Sequence, residues 1–403
     1  MTLTETDAAS AEHRPLRLEE VNVAISGPGE HFEHYDRLRA QAPVHRGVAG
    51  AAEHPFLLVS EMADIRQCFQ EPDVFSSSAV VPHTPDPPYL WIPEMLDGRA
   101  HQRWRQLLGP FFAPGAVERY SPRVHEVIHE ILDEVAPRGR CDFVADVALR
   151  FPNTIFMEIM GLPVADAARF QAWETAMLHV GNSSSPGALA AMAEVKAYFA
   201  ELIQRRRADP REDMLSAATT WRIDGEPVSD DELMGFCLLM FMAGLDTVAM
   251  QLSYSMLHLA RHPDDRRRLV ADPTLWESAV EEFLRYYAFV APGRKVMSDT
   301  EVAGCPVKAG EMVFLPLASA NRDPKEFPDA DQVIIDRTGN RHLAFGAGPH
   351  RCLGAHLARR ELLIGLREWH RRIPDYELDP TIAITEHGGQ VGLDNVPLRW
   401  TVG

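Results

Sequence analysis

Cysteine is scarce in this chain of 403 residues: there are five, at positions 68, 141, 237, 305 and 352, far apart and without a Cys-x-x-Cys pair. That excludes a disulfide framework and points to a reducing compartment. Net positive charge is lacking too, and the formal charge of −18 argues against nucleic acid and anionic membrane surfaces as partners. The N-terminus, Met1-Thr-Leu-Thr-Glu-Thr-Asp-Ala-Ala-Ser10, has neither a basic segment nor an apolar run, so no signal peptide is expected. Long hydrophobic runs are missing. The most apolar stretch, Phe236 to Leu245, meets Asp246 after about ten residues and reads as a buried helix too short for a bilayer. A cytoplasmic protein without membrane contact is expected. Repeats and flexible linkers are also absent, which favours one large domain over residues 16–403 behind a disordered tail, residues 1–15.

What is present is ordinary globular material, 46% hydrophobic and 24% charged. A helix is expected over His31–Ala42, stopped by Pro43, then a strand at Pro55–Val59 and a helix at Met62–Phe69. Val80–Pro93 is rich in proline and aromatics, which precludes regular helix; it reads equally as a binding loop or as a structural loop with its aromatics in the core. Several helices fill 142–210, broken at Gly161-Leu-Pro163 and at Gly181–Gly187, the latter a lid candidate within 165–200. Ser229-Asp-Asp-Glu232 caps a helix running to about Arg261. Short strands follow at Arg294–Asp299, Glu301–Val307 and Met312–Leu317.

Two short patterns suggest chemistry and are weak alone. His101 and Arg105 share one face of a helix, which is usually a solvated basic face. His125-Glu-Val-Ile-His129 is a literal H-E-x-x-H, the zinc-peptidase pattern. Its helix has an apolar stripe at Val124, Val127, Ile128, Ile131, Leu132 and Val135, with the histidines flanking it, and the sequence identifies no third ligand.

Three segments break local rules. Gly244, Asp246 and Thr247 interrupt an apolar helix, and the Thr247 hydroxyl can bond the Ala243 carbonyl, bending the helix and opening a polar notch. Glu282 and Arg285 lie one helical turn apart, as surface ion pairs often do. Cys352 ends the loop Phe345-Gly-Ala-Gly-Pro-His350-Arg-Cys352-Leu-Gly354, where a long helix begins. A cysteine there is favoured as thiolate by the helix dipole, making it a metal ligand or nucleophile rather than a small hydrophobe. Gly346 and Gly348 are half of a dinucleotide fingerprint, but Arg351 occupies its sixth position.

The Cys352 loop resembles the haem-binding loop of the cytochrome P-450 monooxygenases at every defining position. The other motifs follow in that family's order, and the resemblance runs from about residue 30 to Trp400. It implies the triangular single-domain cytochrome P-450 fold, mainly α with a small β region, enclosing haem b with Cys352 as axial iron ligand. It also implies that Phe345 and Gly354 shape the cofactor loop and that His101, Arg105, Arg294 and His350 bind the propionates. Ala243 and Gly244 then face the cofactor, Asp246 and Thr247 deliver protons, and Glu282 with Arg285 braces the cysteine loop. The third member of that brace is expected to be Arg322, with Arg337 as the alternative.

By gapless alignment from Arg105 to the family's camphor hydroxylases, Tyr89 falls on a substrate-binding tyrosine, with Trp91 and Val80 in the pocket. Val290 and Gln390 align with pocket positions, and Leu239 and Met242 belong to the same set. Pro292 departs from those enzymes, which carry an acid there. The implied reaction inserts one atom of O2 into a C–H bond of a small terpenoid, norisoprenoid or aromatic. Electrons are expected from NAD(P)H through a ferredoxin reductase and a ferredoxin docking on Arg103, Arg105, Arg351, Arg359 and Arg360, the chain being a monomer. The alternatives are ring coupling or C–C cleavage on a larger secondary metabolite, a non-catalytic haem sensor, and a zinc peptidase at His125 and His129.

Overall fold

The structure is a computed structural model that describes residues 15–21, 27–179 and 185–402. The expected tail lies outside the described residues apart from Pro15, and the lid expected at Gly181–Gly187 lies outside them up to Ser184. Ser185 instead caps a helix, its Oγ accepting from Ala188 N at 3.1 Å, and Pro186 occupies the first turn.

Helices dominate, and the minor β component is a mixed sheet. Its strands are β1 (Leu16–Arg17), β2 (Val44–Ala49), β3 (His54–Val59), β4 (Phe75–Ser76), β5 (Gly293–Val296) and β6 (Met312–Phe314), in the order β1-β2-β3-β6-β5-β4. β3 is a continuous apolar run, buried from Phe56 to Val59, as a central strand covered on both faces requires. β6 joins it in parallel, Val313 opposite Leu57, and holds β5 antiparallel, Val313 opposite Arg294. This fixes the Arg294 guanidinium on an inner strand. The expected strand through Gly304 is a hairpin, Thr300–Val302 with Cys305–Val307.

Around the sheet lie α1 (Glu30–Gln41), α2 (Met62–Gln70), α3 (Gly98–Phe112), α4 (Pro114–Val135), α5 (Arg150–Met160), α6 (Ala167–Glu174), α7 (Pro186–Ala208), α8 (Asp230–Gly244), α9 (Thr247–Arg261), α10 (Trp276–Tyr286) and α11 (Ala355–Arg372). The apolar stripe of α4 is buried from Val124 to Val135, against α11. One large apolar cluster draws on residues from Leu18 to Leu398, and a second, smaller one packs α2 against β3 and β6.

The helix expected to run unbroken to Arg261 is two helices. Leu245 and Asp246 belong to neither, and α9 restarts at Thr247. Taken together, Asp230–Arg261 is long and apolar enough to cross a membrane, with a mean hydropathy of 1.9 over an 18-residue window, which corrects the expectation of too short a run. It is a core element here: 67% of that window is buried inside the protein, and Asp246 within it is fully buried.

Candidate functional site

Cys352 hangs from a loop of tight turns. Gly346 and Gly348 both have φ +67°, a left-handed conformation that glycine adopts without strain. A Cβ at Gly348 would lie 2.3 Å from the Phe69 carbonyl oxygen, so this loop passes directly over the end of α2. Cys352 N donates to Phe345 O at 2.8 Å, closing the loop, and α11 begins three residues later. Cys352 is accessible, not packed into the core as Cys68, Cys141 and Cys237 are. Burial pushes its thiol above the ordinary value; the Gly354 N–H and the charges of Arg105 and Arg351 pull the other way without prevailing. The helix end and these charges favour the thiolate, and a bound metal cation would add to them.

A set of cationic side chains converges near this loop. Arg294 is fully buried, and its only hydrogen bond among the described residues is to its neighbour's carbonyl, Gly293 O, at 2.7 Å. Arg105 is half-buried and has no hydrogen bond or ion pair among the described residues. Burial lowers both guanidinium pKa values. His101 is buried against His350, ring centroids 4.0 Å apart, and is pushed down to about 4 by burial and by the charges of His350 and Arg105. His350 points its Nε2 at Asp97 Oδ1, 3.0 Å away, leaving a buried Nδ1 without a partner among the described residues. Burial works against the Asp97 carboxylate, but hydrogen bonds from His350 and Ser76 keep it below the usual range. Asp97, the N-cap position of α3, was not anticipated. Pro292 O accepts from Leu315 N at 2.9 Å, so this proline serves β6 through its backbone.

Another rule-breaking segment is the junction of α8 and α9. Ala243 is exposed although Phe241 and Met242 before it are buried. A Cβ at Gly244 would lie 2.3–2.5 Å from the Phe156 ring of α5, so the missing side chain admits close helix packing. Thr247 Oγ1 donates to Ala243 O at 3.5 Å, a long contact at the limit of a hydrogen bond. Glu174, the last residue of α6, is also fully buried, and its Oε1 has no partner among the described residues. Burial, and then the negative charge of Asp246, push the Glu174 carboxyl well above the ordinary range. The sequence offered no signal for Glu174, since nothing in its own helix marks it as buried.

The buried brace is corrected in one member. Glu282 accepts from Arg285 at 2.7 and 2.8 Å, from Arg337 Nε at 3.0 Å, from Ile334 N at 2.8 Å and from Asn340 Nδ2 at 3.1 Å. Arg337 is thus the third member. Arg322 instead donates from Nε to Asp36 at 2.8 Å, its guanidinium 4.2 Å from the centre of the Tyr286 ring. The link to the cysteine loop runs through Asn321: Arg285 donates to its carbonyl at 2.9 Å, and its side-chain oxygen accepts from Leu343 N at 2.6 Å.

The Val80–Pro93 segment is pinned at both ends. Gly293 N donates to Val80 O at 2.7 Å, and Ile92 N donates to Gly235 O at 3.2 Å. Tyr89 stacks on Trp91 at 4.8 Å, and burial raises the Tyr89 hydroxyl pKa. Trp91 Nε1 and Gln390 Nε2 are buried donors without partners among the described residues. Leu239, Trp91 and Val290 are partly buried against the core, while Met242 belongs to it.

The Cytochrome P450 family model matches residues 50–369. This chain belongs to the cytochrome P450 family. It is 36% identical over 351 residues to a probable cytochrome P450 127A1 of Sinorhizobium fredii, covering 85% of this chain and 83% of that one. It is 34% identical to the mycinamicin IV hydroxylase/epoxidase of Micromonospora griseorubida, covering 76% and 75%. Among solved structures, CYP101J2 superposes with a TM-score of 0.85 at 27% identity, covering 96% of this chain and 97% of that one.

A cytochrome P450 is an oxygenase that binds haem b and uses O2, and bacterial members typically draw electrons from NAD(P)H through ferredoxin. The residues of this P450 suit the group. Two inner arginines without acid partners match two propionates, and an accessible cysteine matches an iron ligand. Membership sets aside the zinc-peptidase and non-catalytic sensor readings of the whole chain.

Proposed function

We propose that this cytochrome P450 hydroxylates a compact apolar molecule that carries hydrogen-bond acceptors. The observation that carries the reading is the pair of buried, unpartnered donors, Trp91 Nε1 and Gln390 Nε2, set among apolar wall residues. An unpaired buried donor costs stability, so a ligand acceptor that meets it gains affinity. Val80, Tyr89, Leu239, Met242 and Val290 complete the pocket in this reading, with Tyr89 OH as a further donor. Residues 16–403 act as one domain, a cytoplasmic monomer.

When bound, haem b supplies oxygen activation. Cys352 would hold its iron, Arg105 and Arg294 its propionates, with His101 and His350 beside them and Phe345, Gly354 and Ala243 against the ring. The chain's own task is to keep water out and to deliver protons. Thr247, weakly tied to Ala243 O, is free to turn its hydroxyl towards bound substrate. Asp246 lies in the helix break just before Thr247, and the buried Glu174 carboxyl, whose pKa is raised by burial and by the charge of Asp246, would serve as the proton source behind it. Gln390 and Trp91 orient the substrate by its acceptors.

A separate ferredoxin is the proposed electron donor. Of the five arginines expected on its docking face, Arg105 is turned inward, Arg103 pairs with Asp224, Arg359 with Glu281 and Arg360 with Glu118. Arg351 is exposed and unpaired among the described residues. A depression of about 360 Å³ lined by Glu281, His356, Arg359, Arg360 and Leu363 lies on the flank of α11. Arg351 therefore leads the docking proposal, with Arg359 and Arg360 available if an acidic partner displaces their internal acids.

A second reading, a larger secondary metabolite, is favoured by the 34% identity to the mycinamicin IV hydroxylase/epoxidase. One titration separates the two. The ferric protein is titrated with monoterpenoids, norisoprenoids, small aromatics and a macrolide, and its absorption is followed. A low-to-high-spin shift with a terpenoid, weakened by ~0.5–1.5 kcal/mol in Tyr89→Phe, supports the compact substrate. A shift only with the macrolide establishes the larger one.

A further inference from the structure

Oxygenase chemistry has no use for the H-E-x-x-H pattern on α4, yet the fold completes it. α11 brings Glu368 up to the two histidines, supplying the third ligand that the sequence did not identify. His129 Nε2 lies 2.7 Å from Glu368 Oε2, and His125 Nδ1 lies 3.8 Å from Glu368 Oε1. One donor atom from each residue falls within 4.8 Å of the others. In tetrahedral zinc sites the ligand atoms sit ~2.0–2.2 Å from the ion, which places donor pairs roughly 3.4 Å apart. Small side-chain rotations reach that geometry. The histidine side chains are 46% and 43% exposed and free to make them, while both backbones are held by the buried face that α4 shares with α11.

The donor set selects the ion. Two imidazoles and one carboxylate suit zinc and its borderline neighbours; magnesium and calcium want oxygen ligands only. Arg371 is the built-in competitor. Its guanidinium lies 2.7 Å from Glu368 Oε2 and 3.2 Å from His129 Nε2, but its side chain is 71% exposed and can swing into solvent. The motif glutamate, Glu126, is 63% exposed and accepts from Arg123 at 3.2 Å, so it is not poised as a general base.

We propose that His125, His129 and Glu368 form a zinc-type divalent-cation site, without hydrolytic activity, that staples α4 to α11. The staple grips the helix whose first turn adjoins Cys352. Zinc binding raises the stability of the folded protein by mass action, leaving the oxygenase site in place.

The test uses the haem-loaded full chain, treated with EDTA, freed of chelator, and titrated with zinc chloride against a chromophoric chelator. A single zinc ion should bind, with affinity reduced about tenfold or more in His129→Gln and in Glu368→Gln and increased in Arg371→Ala. Magnesium and calcium at millimolar levels should not displace it. The melting temperature, read by far-UV circular dichroism, should rise with zinc in the native chain and not in Glu368→Gln. His125→Asn, altering only an exposed side chain, gives a second reading if Glu368→Gln fails to fold. Absence of zinc binding overturns the proposal. So does binding that persists unchanged in Glu368→Gln or His125→Asn, which would place the ion on cysteines or on an isolated histidine.

Discussion

Glu174 and Glu282 are both fully buried acids, and they are stabilised in opposite ways. Glu282 accepts from two arginines and two further donors, while Glu174 Oε1 has no partner among the described residues and burial raises its carboxyl pKa. A glutamine at 174 copies the shape and neutrality of the protonated acid but cannot release a proton. Glu174→Gln should therefore keep its fold and its substrate-induced spectral shift while coupled turnover falls by about tenfold or more, measured as product formed per NAD(P)H consumed. Unchanged coupling would remove Glu174 from the proton route. At the brace, Arg337→Ala leaves Glu282 buried with part of its charge uncompensated and should cost ~3–5 kcal/mol in denaturant unfolding. Arg322→Ala should leave the Glu282 network intact, so haem retention separates the two variants: it falls in Arg337→Ala and holds in Arg322→Ala.

At the scale of elements, the segment from Val80 to Ile92 owes its position to two glycines on other elements. A Cβ at Gly235 of α8 would lie 2.7 Å from Leu90 O, closer than real contacts allow. Gly235→Ala should push the segment outward and weaken substrate binding by ~1–3 kcal/mol. Equilibrium spectral titration measures that loss, while far-UV circular dichroism stays unchanged. Helix and strand positions were largely legible, because 3.6-residue and continuous apolar patterns report burial directly: α1, α2, β3 and the stripe of α4 fall where their residues predict. Glu282 and Arg285 were legible as a pair by their spacing. Contacts across long stretches of chain were not. The choice of Arg337 over Arg322 depends on how residues 329–340 fold back on α10, and Gly244 answers to Phe156, far away on α5. The break at Leu245–Asp246 was foreshadowed by a glycine and an acid in an apolar run, but its extent, two helices rather than one bent one, depends on that same packing.

For the molecule as a whole, acid should act in two stages. His370 is buried, held between Leu366 O at 2.7 Å and Tyr376 OH at 2.8 Å, and pushed down to about 4 by burial. Its unfolded counterpart takes up a proton near 6.5, so the folded state binds fewer protons between those values and stability falls as pH drops from 6.5 to 4. Glu281 behaves as depressed carboxylates do. Burial opposes it, yet His342 and Arg359 bring it to about 2, so its contribution is complete above 4.5 and lost as pH falls towards 2. Melting temperature against pH should show both limbs, and His370→Gln should flatten only the upper one.

If Arg294 holds a propionate as proposed, it ties this protein to the cell's supply of its cofactor. A buried guanidinium on an inner strand, with Arg105 close by, is an expensive arrangement until two carboxylates arrive. Newly made chains thus reach full stability only once porphyrin is available. Under haem starvation the polypeptide should be turned over by proteases rather than accumulate, so its abundance becomes a readout of tetrapyrrole synthesis.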